Sequence, residues 1–483
     1  MNTVKKRLLN LGLLGLVGAS LGLYSYYGVF KTQQAEEQKK SEQEKIVTFK
    51  KEDIVEVLIH QKDTQIRVRK EGEGETAWKM LEPLPSTADK SAIESIVQYF
   101  ADLKKKKSLN STQAASSFGI DDKSSFISFT DKNQKETTLI LGMNNSFDDS
   151  LYLQKKGDSQ IALVPGNTSA QINKDTFALR EKRLLIFEDE KLSQIEYQTQ
   201  DLHYILQMQG LDWFIKTPIE TTADKTQINT LISGLHAAVA KKFESEDYIK
   251  EQVPLERVGL DKPASTLILT INNNKIKVFL SSDKQGHFYA KHESSKQIYE
   301  LSESLAKKFD LTINDLRDRA ITKFNKEDIK QIKIEETGKI PLVFKLVSTT
   351  TDHKPNTTNE IWQLESAPKR SVIESKISNL LFKLSTAKAK SVIADKPSDQ
   401  DKAAYELLPV KKTLTLLDQN GQTVDQLAIG KSSDGFMYLL SHKQTRLDSI
   451  DREQLINLNF EPDFYLEQES NTSHKTPSEP AQH

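Results

Sequence analysis

The chain has 483 residues, too many for one ordinary domain, and 37% hydrophobic with 28% charged residues is enough apolar material for several cores. Lys+Arg number 67 against 68 Asp+Glu, a net charge of −1, so no global field recruits nucleic acid and no nucleic-acid partner is expected. Cysteine is absent, which excludes disulfides, thiolate nucleophiles and cysteine-based zinc sites.

At the N-terminus, Lys5, Lys6 and Arg7 precede "LLNLGLLGLVGASLGLYSYYGVF", residues 8–30, in which no charge occurs. At about 1.5 Å per residue such a run spans the roughly 30 Å hydrocarbon layer. Residues 1–30 therefore predict a cytoplasmic flank and a single transmembrane helix. The basic flank stays inside and everything after Lys31 lies on the periplasmic, extracytoplasmic side of the cytoplasmic membrane. Tyr24, Tyr26 and Tyr27 fall near the outer interface. Cleavage after Ala19, in the small-residue stretch Val17-Gly18-Ala19, is the rival, but the apolar run continues beyond it. Gly18 and Gly22 form GxxxG, a face for close helix approach, although glycine is common in membrane helices generally.

After a polar linker, residues 31–45, three openings align without gaps: "FKKEDIVEV" from Phe49, "FEDEKLSQI" from Phe187 and "FNKEDIKQI" from Phe324. Each leads through alternating apolar residues to one of the only three tryptophans, Trp78, Trp213 and Trp362. A proline follows (Pro83, Pro218, Pro368), then a helical pattern. Its apolar face is Ile93, Ile96, Val97, Phe100 and Leu103 in the first copy, and Ile228, Leu231, Ile232, Leu235 and Val239 in the second. In the third it is Ile373, Ile377, Leu380, Leu381 and Leu384.

A strand meander closes each copy, beginning with "FISFTD", "STLILTI" and "KTLTLLD", its turns rich in Asn, Asp and Gly. The expected class is α+β: a transmembrane helix, then three tandem repeats, each with early strands, one amphipathic helix and an antiparallel meander. The expected boundaries are 46–184, 185–320 and 321–466, with a disordered tail at 467–483. Repeats in series meet only their neighbours.

"WKMLEPLPSTADKSAIESIV" from Trp78 recurs as "WFIKTPIETTADKTQINTLI" from Trp213. Asp89 and Asp224, or Thr87 and Thr222, stand where a helix needs an N-cap oxygen, and Ser371 can serve in the third copy. Residues interchangeable by capping ability are architectural.

Tryptophan, proline, helix, a Gly-[IL]-Asp step ("FGIDD" from Phe118, "VGLDKP" from Val258) and a meander with LxxG together resemble domain-of-unknown-function family 4340 over roughly residues 46–465. The third copy departs, with "AYELLPV" at the Gly-[IL]-Asp step. The resemblance implies an envelope protein encoded beside ABC-type transport and gliding-type auxiliary components. It carries no catalytic residues.

No hydrolase, zincin, Walker or dinucleotide motif occurs; "EGEGETAW", with Gly72 and Gly74, is a turn. His287 and His292 fall on opposite sides of a strand. "DKNQKE" from Asp131 lacks the glycine and closing glutamate of a calcium loop and is a hairpin turn. Ser281-Lys284 and Ser385-Lys388 match S-x-x-K by chance. Catalytic, cofactor-binding and metal-ligating residues are all assigned as none, and the chain is expected not to be an enzyme. Lys104 to Lys107 sit where cations meet a helix C-terminus, with anionic lipid or an acidic partner as the functional alternative. Arg180 and Arg183, then Arg317 and Arg319, occur only at internal junctions and are expected to bridge neighbouring repeats. The expected function is a membrane-anchored, extracytoplasmic accessory or scaffold protein beside an ABC-type transporter, with an envelope polysaccharide- or lipid-binding module as the alternative.

Overall fold

A computed structural model describes Tyr26 and residues 43–109, 113–350, 358–441 and 445–468. The expected transmembrane helix, with Gly18 and Gly22, and nearly all of the expected disordered tail lie outside the described residues. Among the described residues, no helix is long and apolar enough to cross a membrane.

The first copy forms one antiparallel sheet. Its early strands are β1 (Ile54–Gln61), β2 (Thr64–Lys70), β3 (Trp78–Glu82) and β4 (Ser86–Thr87). After helix α1 (Lys90–Asp102) come β5 (Lys107–Leu109), β6 (Phe126–Asp131), β7 (Glu136–Asn144), β8 (Leu151–Lys155) and β9 (Ile161–Val164). The strand order is β4-β3-β2-β1-β6-β7-β8-β9-β5. β1 pairs with β2 on one side and β6 on the other, so the two meanders fuse. α1 must then carry the chain from one outer edge to the other across a face. Ile93, Ile96, Val97 and Phe100 of α1 share one core with Val57 and Ile59 of β1, Ile127 and Phe129 of β6, and Trp78. Burying each of these large side chains contributes about 1.5–3 kcal/mol.

The second copy repeats the plan with β10 (Leu192–Gln198), β11 (His203–Gln209), β12 (Asp212–Thr217) and β13 (Thr221–Thr222). Helix α2 (Lys225–His236) leads to β14 (Ala240–Ser245), β15 (Ser265–Ile271), β16 (Asn274–Ser282), β17 (Phe288–His292) and β18 (Ile298–Leu301). The order is β13-β12-β11-β10-β15-β16-β17-β18-β14. The third uses β19 (Gln331–Glu336), β20 (Leu342–Thr350) and β21 (Thr358–Leu364). Helix α3 (Glu374–Thr386) precedes β22 (Ser391–Ala394), β23 (Lys412–Leu417), β24 (Thr423–Ser433), β25 (Phe436–Ser441) and β26 (Arg446–Asp451), ordered β21-β20-β19-β23-β24-β25-β26-β22.

The expected α+β class is therefore corrected. The protein is predominantly antiparallel β, three large sheets each crossed by one helix of three to four turns. The physical reason is the fusion of two meanders into one sheet, a long-range pairing that local periodicity does not encode. The three sheets fit the three repeats. The chain nevertheless divides into two compact units, Met1–Ile186 with His236–Glu246 and Ile298–Ser302, and the remaining residues.

In the first two copies the helix start is set by aspartate. Asp89 accepts from the Ala92 N–H at 3.0 Å, and Asp224 from Thr226 and Gln227 at 2.8 and 3.3 Å. Such caps contribute about 1 kcal/mol. Thr87 instead accepts from the Lys79 ammonium. Ser371 does not cap α3; the Glu374 carboxylate, in its first turn, accepts the Trp362 N–H at 2.7 Å. Val239, expected on the second helical face, lies past the end of α2 and is exposed. Trp78, Trp213 and Trp362 are all buried.

The Gly-[IL]-Asp step is a left-handed turn, Gly119 at φ 71° and Gly259 at φ 69°. In the third copy Glu406 takes the same conformation at φ 59°. The closing bonds match: Ile120 N–H to Ala115 O at 3.2 Å, Leu260 to Leu255 at 2.9 Å, Leu407 to Lys402 at 2.8 Å. The LxxG glycine lets this turn approach, since a Cβ on Gly142 or Gly430 would strike the Phe118 or Tyr405 carbonyl. In the second copy Ser281 stands there and donates its hydroxyl to Val258 O at 2.6 Å. The third copy thus departs in sequence and keeps the backbone, at the cost of a glutamate in a conformation unfavourable to any residue with a Cβ. Glu406→Gly should stabilise the protein by about 1 kcal/mol, read from the urea midpoint; an unchanged or lowered midpoint would refute the strain.

Candidate functional site

Each repeat receives the preceding chain segment through the same two backbone bonds. The N–H groups of Ile46, Leu184 and Ile321 donate to Leu103, Ala238 and Ala387 carbonyls at 3.0, 2.8 and 3.2 Å. Those of Lys105, Ala240 and Ala389 donate back to Glu44, Lys182 and Arg319 at 2.8, 2.8 and 2.7 Å. Onto this frame the internal junctions add arginine. Arg180, with its side chain 6% exposed, grips Glu246 with both terminal nitrogens and lies 4.0 Å from the Phe243 ring centroid. Arg317, 4% exposed, pairs with Asp395. Arg319 donates to Lys390 O at 3.3 Å.

Three of the four expected bridging arginines thus reach the following repeat with their side chains, and Arg183 reaches it through its backbone, bridging Val239. The Arg183 guanidinium stays in its own repeat, with Glu181 at 2.6 Å and Glu75 at 3.2 Å. Burial works to raise the Glu181 carboxyl, but hydrogen bonds and charge from Arg183 outweigh it and hold the group low. The acceptors, Glu246 and Asp395, carry no sequence signal, because they lie 66 and 78 residues from their arginines, each one position past an edge strand. Sequence reasoning missed them, as it missed Arg446, which is held by Asp448 and donates to Asp318 and Ala320 carbonyls at 3.0 and 2.9 Å, and Lys388, which pairs with Asp224 at 2.7 Å.

A groove of about 950 Å³ lies in the third repeat. A register shift between Ile429 and Ser432 opens β24 from β25, and the segment 452–460 forms the opposite wall. Met437, Ile456, Leu458 and Phe460 supply apolar surface, and the Lys412 ammonium sits 5.0 Å from the Phe460 ring centroid. Lys412 also pairs with Glu336, which Lys339 first and Lys412 after it hold below the usual carboxylate range against the opposing effect of burial. Behind the wall, the buried Tyr465 hydroxyl accepts from Asn459 N–H at 2.9 Å, and burial pushes it up to about 12. An open groove of mixed polarity with one cation over an aromatic ring suits a ligand with both polar and apolar groups.

The S-x-x-K serines are engaged elsewhere: Ser281 bonds Val258 O, as above, and Ser385 donates to Phe382 O at 2.9 Å. Asp131 accepts from Asn133 and Lys135 N–H at 2.8 and 2.9 Å in a hairpin turn. Among the described residues, no group of three or more His, Asp or Glu is placed to hold a metal. His287 bonds Asp283 through Nδ1 at 2.8 Å. Burial raises the Asp283 carboxyl, yet that contact and the N–H groups of Gln285 and His287 overcome it and set the group at about 2.

The family model described as "Domain of unknown function (DUF4340)" matches residues 78–212 and again 213–407. The chain belongs to that family. The two matches begin at Trp78 and Trp213, and the second runs on past Trp362. No curated protein and no solved structure matches.

Arg180→Ala should cost about 2 kcal/mol in urea unfolding, discounted because Glu246 is 31% exposed. Arg180→Met with Glu246→Leu should recover most of it, and a double variant as weak as the single one would refute the clamp. Asp283, with its folded value below the unfolded one of about 3.9, contributes stability above about pH 4 that is lost as pH falls through about 2. The urea-midpoint gap between the native protein and Asp283→Asn should narrow across that window; a pH-independent gap would contradict the assignment.

Proposed function

We propose that this chain is a non-catalytic accessory or scaffold protein of an ABC-type transport complex, held at the outer face of the cytoplasmic membrane with its repeats extracytoplasmic. One observation carries the reading. Among the described residues, two nearly inaccessible guanidiniums, Arg180 and Arg317, pair with the partly exposed carboxylates Glu246 and Asp395 of the following repeat. A guanidinium buried without its carboxylate is strongly unfavourable, so each pair penalises arrangements that separate it. Tying a repeat's closing segment to the chain segment that follows the next helix suits a docking platform. Placement at the membrane is supported by the basic Lys5, Lys6 and Arg7 before the charge-free run at residues 8–30. Gly18 and Gly22 offer a partner's membrane segment close approach within that run.

A binding module for an envelope lipid or polysaccharide is the second reading, favoured by the third-repeat groove with Lys412 beside Phe460. Its lining comes from the third repeat alone. Affinity purification of the full chain from detergent-solubilised membranes tests both. A transporter subunit in stoichiometric yield supports the scaffold. Recovery of lipid or glycan without a membrane protein, abolished by Phe460→Ala, sinks it in favour of the second reading.

A further inference from the structure

One end of the first sheet gathers features that the other copies lack. The chain enters there, where the Lys105 N–H bonds Glu44 O and Lys45 bridges Lys104. Lys104 to Lys107 follow, Lys107 opening β5 opposite Leu163. The Lys106 ammonium reaches Ser150 Oγ at 3.0 Å, at the base of the β7–β8 turn. Met143, near the end of β7, is 50% exposed, and Phe147, in the turn, 94%.

The corresponding lysines of the second copy are neutralised: Lys241 and Lys242 pair with Glu300 at 3.2 and 3.1 Å, and Lys242 with Glu244 at 2.8 Å. In the first copy Leu163 stands where Glu300 stands in the second, as the pairing of β5 with β9 and of β14 with β18 shows. The corresponding turns, "SDKQG" and "SSDG", contain no large apolar residue. Two acidic groups share the first-copy turn. Asp148 is held by Ser150 and Asn145, and Asp149 follows it, so the four lysines outnumber them.

We propose that this end of the first repeat docks on an anionic phospholipid surface, with Phe147 and Met143 entering the headgroup layer and Lys104 to Lys107 facing lipid phosphates. The proposal rests on the outer-face placement above. The charge-free run ends at Phe30 and the chain enters the repeat at Glu44, a reach of at most about 50 Å of extended chain. That tether keeps this end at high effective concentration near the bilayer. Each lysine beside an anionic surface shifts docking by about fivefold, and an isolated exposed ring on a polar turn suits insertion between headgroups better than a broad protein interface.

Because the chain has no cysteine, Ser146→Cys gives a unique labelling site next to Phe147. The full chain, carrying an environment-sensitive dye there, is placed in nanodiscs of phosphatidylcholine alone or with phosphatidylglycerol. Acrylamide quenching should fall several-fold only in the anionic discs, and Lys104→Gln with Lys105→Gln and Lys107→Gln should restore it. A dye at Gln285→Cys, in the corresponding second-copy turn, should be quenched equally in both. Equal quenching at residue 146 in both lipids, or protection indifferent to the lysines, overturns the proposal. Protection seen only in native membranes and lost on removing their proteins overturns it in favour of an acidic protein partner. Failure of the chain to enter discs at all overturns the outer-face placement, and this proposal with it.

Discussion

The antiparallel pairing at the middle of each sheet is the constraint from which the rest follows. Val57 faces Phe129 and Ile59 faces Ile127; the second copy repeats this with Ile195–Leu269 and Tyr197–Leu267, the third with Ile332–Leu416 and Ile334–Leu414. These side chains are essentially inaccessible to solvent. A slip of one residue would turn every one of them to the opposite face, so burial fixes the register. With the middle fixed, the strands before and after the helix must spread outward on either side. The helix then has only one route, across the face that those residues present.

Much of this was legible locally. Alternation marked the strands, spacing marked the helices, and three tryptophans marked the period. All three rings are buried beside the start of a helix. What could not be read was partnership at a distance. β5, β14 and β22 run along sheet edges with mixed burial, so their sequences, such as "KSL" and "SVIA", give no clean period. The lysine run therefore looked like a helix tail when it leads into an edge strand. Ser371 was misjudged for a related reason: a capping residue is defined by where the helix begins, and α3 begins three positions later, with Glu374 bonding the tryptophan backbone instead.

The site was half legible. That Arg180 and Arg317 occur only at internal junctions pointed to a bridging role, and the geometry gives each a carboxylate across the junction. The groove in the third repeat had no sequence signature. It arises from an irregular register between β24 and β25 and from a wall assembled out of the final short turns, both consequences of tertiary packing. The Glu406 turn shows the opposite case, in which a pattern disappears from the sequence while the conformation persists, because the surrounding strand glycine and the buried Leu407 still select it.

The closing segments show how one backbone device serves two ends. Ala88 bridges Arg180, Ala223 bridges Arg317 and Val372 bridges Leu466, so the chain returns to the helix start in the same way each time. In the first two copies the returning residue is a cation, and its long side chain leaves the repeat to find Glu246 or Asp395. In the third it is leucine, 3% exposed, which joins Tyr465 in the repeat's own core, with the Tyr465 ring 5.0 Å from Phe344. Arginine could not be buried there without a carboxylate to receive it, since an unpaired guanidinium in an apolar core is strongly unfavourable. On one unchanged frame, then, a single side chain decides whether the returning segment reaches into the next copy or packs into its own core.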